Sequence, residues 1–152
     1  MMFSVSGREP KNAMIETYLR NLSKEDYTQL RKVAFVAKDS LLPLCKQKDP
    51  KHNGFQPLFS FAMAVISVDK ELTEQEYRLM SDVLGVRKDQ VKMMFGLYQN
   101  PNTKLSYYFG SGINDDNYHI ALLFASAFAV VDGSPTDEEL TFIYKCIASM
   151  VK

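Results

Sequence analysis

The chain carries one 24-residue pattern twice. Residues 61 to 84, "FAMAVISVDKELTEQEYRLMSDVL", lie over residues 124 to 147, "FASAFAVVDGSPTDEELTFIYKCI", without a gap, at an offset of 63 (124 minus 61). Identities fall at Phe61 and Phe124, Ala62 and Ala125, Ala64 and Ala127, Val68 and Val131, Asp69 and Asp132, Thr73 and Thr136, and Glu76 and Glu139. In each copy an apolar run ends at an Asp, three residues follow, and an amphipathic segment begins. That is the pattern of a helical hairpin, so the sequence predicts two of them, at about residues 59–85 and 122–148, related by a pseudo-two-fold.

The rest of the chain fits the same class. Apolar residues recur every three or four positions and strict alternation never persists, which predicts an all-α fold, a compact bundle of about seven helices. At 152 residues the chain is one domain in size, 1–152,. Pro10 can open a first helix with Met14, Ile15, Tyr18, Leu19 and Leu22 on one stripe,. Ser23, three residues before Asp26, is placed to cap a second helix, which Pro43 should kink or shorten,. "KQKDPKHNGFQP", residues 46 to 57, is the clearest loop,. Helices are expected over Phe55 to Val68, Thr73 to Leu84 with Gly85 ending it in a left-handed turn, and residues 87 to 99, which Asn100-Pro101 should stop,. A short helix in "TKLSYYFGSG" should precede an apolar helix to Val131, capped by Asn114 or Asp115. The last runs from Thr136 with Leu140, Ile143, Ile147 and Val151 inward,.

The joints between the hairpin helices hold the chemistry worth weighing. Thr73 with Glu76, and Thr136 with Glu139, have the Thr-x-x-Glu spacing of a capping box, in which each side chain satisfies the other residue's orphan amide,. Glu74, Asp137 and Glu138 sit in first turns, where the helix dipole favours negative charge,. Asp69 and Asp132 end apolar helices, where a carboxylate opposes the dipole unless it caps the next helix or meets a cation,. Capping is the simpler reading of all four positions. The sharper one is a divalent cation held by Asp69, Glu76, Asp132 and Glu139.

An ordinary calcium loop is excluded by spacing. With Asp132-Gly133 as its fifth and sixth positions, Glu139 falls correctly at the twelfth, but the first and third are Phe128 and Val130,. In the other copy Val65 and Ser67 stand there, and Lys70 replaces the glycine.

Charge and composition remove other classes. Eighteen basic residues balance eighteen acidic ones, so no global field draws the protein to nucleic acid or an anionic membrane. The longest apolar run, Ile120 to Val131, is twelve residues and interrupted by Ser126, against about twenty for a membrane span. The start has no secretory signal pattern, so a cytoplasmic location is expected. Cys45 and Cys146 lack Cys-x-x-Cys spacing, and with only His52 and His119 available a zinc cage is not indicated,. No phosphate-binding glycine loop, nucleophile elbow or His-Glu-x-x-His motif occurs,, and an exposed cap does not split carboxylate pKa values as acid-base catalysis requires. The expectation is therefore a non-enzymatic protein without an organic cofactor.

Two further features concern surfaces. Met63, Met80, Met93 and Met94 could form an adaptable groove, though such residues more often fill core gaps,. Tyr107, Tyr108 and Phe109 are adjacent on a short helix and cannot all face inward, so a contact surface is expected from at least one of them,.

Two Ala-containing apolar helices running into "VVDGSPTDEE" and "SVDKELTEQE" resemble the TerB family of tellurite-resistance and stress-response proteins and its TerB-like relatives. The resemblance covers about residues 55 to 150. It implies a compact cytoplasmic bundle of about seven helices with an internal pseudo-two-fold, no established enzymatic activity, and an acidic cluster proposed to attract divalent metal. The matching positions are Asp69, Glu76, Asp132 and Glu139, and Lys70 departs from the family's glycine. The function expected first is that of a protein-interaction module with an as yet unidentified protein partner in a stress-response system. The alternative is a divalent-cation-binding protein.

Overall fold

The computed structural model describes residues 10–68, 71–98 and 101–150. Asp69, Lys70, Asn100 and Val151 lie outside the described residues. Among those described there are eight α-helices and no strand: α1 (Pro10–Leu22), α2 (Tyr27–Lys48), α3 (Phe55–Ser67), α4 (Glu74–Leu84), α5 (Lys88–Phe95), α6 (Leu105–Phe109), α7 (Tyr118–Val130) and α8 (Asp137–Ala148). Short 3-10 turns follow α2, α5 and α6. No helix among the described residues is long and apolar enough to cross a membrane.

The most apolar helices occupy the centre. In α7, Ala121, Leu122 and every residue from Phe124 to Val130 are buried, and in α3 burial runs from Phe61 through Ser67. A helix apolar on all sides has no face to give to water, so it must be covered by neighbours. α7 packs most extensively on α2 and also touches α1, α3 and α8. Phe61 on α3 anchors an aromatic cluster, its ring 5.0 Å from Tyr108, 5.1 Å from Phe109, 6.2 Å from Phe142 and 6.4 Å from Phe124. Edge and offset contacts at these separations add to simple area burial.

The helices of the two hairpins start at matching positions. α3 and α7 are both 13 residues long and begin 63 positions apart (118 minus 55), as α4 and α8 do (137 minus 74). Each of the first pair is followed by a partner packed on it, α4 on α3 and α8 on α7. α4 is further fixed to α2. Tyr27 donates to Asp82 Oδ2 at 2.6 Å, Arg78 lies 3.9 Å over the Tyr27 ring, and Lys38 donates to the Val83 carbonyl at 3.2 Å. Gly85 ends α4 at φ 70°, donating to Ser81, as expected for a left-handed C-terminal glycine,.

Several local expectations are corrected. Pro43 does not shorten α2, which runs on to Lys48. The proline faces solvent while Leu41 and Cys45 on either side of it are buried, so tertiary packing outweighs the lost hydrogen bond,. The helical continuation also shortens the loop anticipated over 46 to 57. The N-cap of α2 is Asp26, which accepts from Gln29 N at 3.0 Å, whereas the Ser23 hydroxyl donates to the Arg20 carbonyl at the end of α1. Met14 is 73% exposed and lies off the buried stripe of α1. Asn114 accepts from the amides of Asp116 and Asn117, capping a turn that leads into α7 rather than α7 itself.

Candidate functional site

Both joints end in the predicted capping box. Thr73 Oγ1 accepts from Glu76 N at 3.3 Å while Thr73 N donates to Glu76 Oε1 at 2.9 Å. Thr136 Oγ1 accepts from Glu139 N at 3.1 Å while Thr136 N donates to Glu139 Oε1 at 2.8 Å. The cap fixes each glutamate's rotamer and turns it back over its own helix N-terminus. The sequence predicts these caps to be exposed, and on that point the structure corrects it, because the packing of the two hairpins covers both glutamates. Glu76 is fully buried and Glu139 is 1% exposed.

The two capped ends converge. Carboxylate oxygens of Glu76, Asp132 and Glu139 all lie within 4.8 Å of one another. Glu76 and Glu139 come from the first turns of α4 and α8, and Asp132 from the turn that follows α7, where Gly133 adopts φ 131° and donates to the Val130 carbonyl at 3.0 Å. A glycine suits that backbone conformation, which other residues rarely adopt.

Asp132 is exposed as a residue, yet its carboxyl leans over a buried acidic pair. Loss of hydration, reinforced by the nearby charge of Glu71 and opposed by its own backbone N–H, holds its pKa above the ordinary carboxylate value,. Glu71 has no acidic counterpart in the second copy. It stands in the first joint opposite Ser134 of the second, so the repeat itself gave no signal for it.

The arrangement fits a hard cation. Three carboxylates supply only oxygen, which favours calcium, magnesium or manganese over zinc or copper. Oxygens bound at about 2.3–2.6 Å to one calcium can stand up to about 5 Å apart, whereas the shorter bonds to magnesium, about 2.1 Å, allow little more than about 4 Å. Oxygens all within 4.8 Å of one another could be reached by one ion of calcium size,.

Of the other residues singled out in sequence, Tyr107 is 58% exposed, whereas Tyr108 and Phe109 are buried against Phe61. The Tyr108 hydroxyl donates to the Asn102 carbonyl at 2.6 Å, which gives its polar end a partner. Only Tyr107 is left to form a contact surface. It is held by Lys48, whose ammonium hydrogen-bonds the Tyr107 carbonyl and lies 5.6 Å from the ring centroid. Met63 and Met80 are core residues, Met94 is half-buried, and Met93 is 73% exposed. His119 is exposed at the start of α7. Cys45 and Cys146 are both buried free thiols, each pushed up to about 12 chiefly by burial.

No protein-family model, no curated protein and no solved structure matches this chain.

Proposed function

We propose that the chain is a TerB-like helical module, built from two copies of one hairpin, that binds a divalent cation where its two joints meet. The observation that carries this reading is the convergence of Glu76, Asp132 and Glu139 to within 4.8 Å, two of them buried. Three carboxylates gathered in this way offer oxygen ligands only, the donor set that a calcium-sized cation takes. The pairs Phe61 with Phe124 and Glu76 with Glu139 support the two-copy reading. Positions related by a two-fold rotation meet each other only near its axis, and both of these pairs meet.

A role in presenting a surface to a protein partner, in the kind of stress-response system the resemblance implies, is the second reading. Its support is the exposed Tyr107 ring clamped by Lys48. In both readings the acidic residues act by position and charge, with no catalytic step.

The test is a thermal melt of the full chain in chelator and then in calcium, magnesium, manganese or zinc. The expected outcome is a rise in melting temperature with calcium that disappears in Glu76→Gln and Glu139→Gln. No response to any of the four ions removes the cation reading and leaves the joints as capped turns.

A further inference from the structure

We draw no further inference here: the strongest candidate, the apolar groove between α1, α7 and α8 lined by Met14, Ile15, Tyr18, Tyr118, Leu122 and Ile147, has nothing in the structure to show what covers it.

Discussion

Phe61 and Phe124 stack with ring centroids 6.4 Å apart and planes 18° from parallel, although 63 positions separate them in sequence (124 minus 61). Both rings are fully buried. Truncating either to alanine removes a large side chain from a close-packed centre and should cost about 3–5 kcal/mol. Because the rings touch, the double variant should depart from the sum of the singles by about 0.5–1.5 kcal/mol. Urea unfolding of the four proteins measures this directly, and strict additivity would mean that the rings do not support each other.

The glutamates at the joints separate charge from capping. Glutamine keeps the carbonyl oxygen that accepts from the Thr73 or Thr136 amide, so Glu76→Gln and Glu139→Gln preserve the box while removing a buried negative charge,. In chelator each should be more stable than the alanine variant at the same position, because the cap is kept. Alanine in either place should destabilise, because the cap is lost and a cavity remains. In calcium at about 100 times its dissociation constant the parent should gain about 2.7 kcal/mol. That corresponds to about 5–10 °C at the usual conversion for a chain of this size. A glutamine variant as unstable as its alanine counterpart in chelator would show that the charge itself is needed by the fold.

Thr73→Ala and Thr136→Ala each remove one acceptor at a helix N-terminus, and each should cost about 1 kcal/mol. Similar bond lengths in the two boxes predict similar losses. Chemical denaturation distinguishes this from a joint in which only one threonine matters.

Acid sensitivity should trace in part to Asp49. Partial desolvation acts to raise its pKa, but hydrogen bonds from His52 at 2.9 Å and from Gln56 N at 3.2 Å outweigh it and hold the carboxyl below its ordinary value. A depressed carboxyl stabilises the fold above its unfolded pKa of about 3.9, and the contribution fades as pH falls through the lower folded value. Asp49→Asn should therefore flatten the acid limb of the stability curve below about pH 4. Melting temperatures across that range, with His52→Ala as a second variant, test the assignment.

Tyr107 and Tyr108 should respond oppositely to alanine. With its ring exposed, Tyr107 should change stability by no more than about 0.5 kcal/mol, while the loss of Tyr108 from beneath Phe61 should cost several times as much,. If Tyr107 serves a partner, its alanine variant will melt normally and lose that partner in a binding assay with the full chain.

Helix boundaries at the joints were legible in the sequence because local chemistry sets them. The Thr-x-x-Glu boxes and Gly85 occur where spacing placed them, since caps depend on residues three or four positions apart,. Pro43 does not end α2, because its local penalty is outweighed by the burial of Leu41 and Cys45, a property of the assembled bundle,. Ser23 lost the cap to Asp26 because both residues have suitable oxygens and the path of the chain decides between them. At the site, sequence named Glu76, Asp132 and Glu139 without revealing that they converge, and it passed over Glu71. Convergence comes from how α3, α7 and their partner helices pack, which no short window contains.

α7 has almost no surface of its own, and its most extensive contact is with α2, a helix of the N-terminal third. Fragments divided at the turn around residues 110–117 should therefore not fold separately. A fragment stopping there would expose the apolar surface that α7 covers. Both hairpins, and the joints they bring together, should assemble and come apart in one cooperative step.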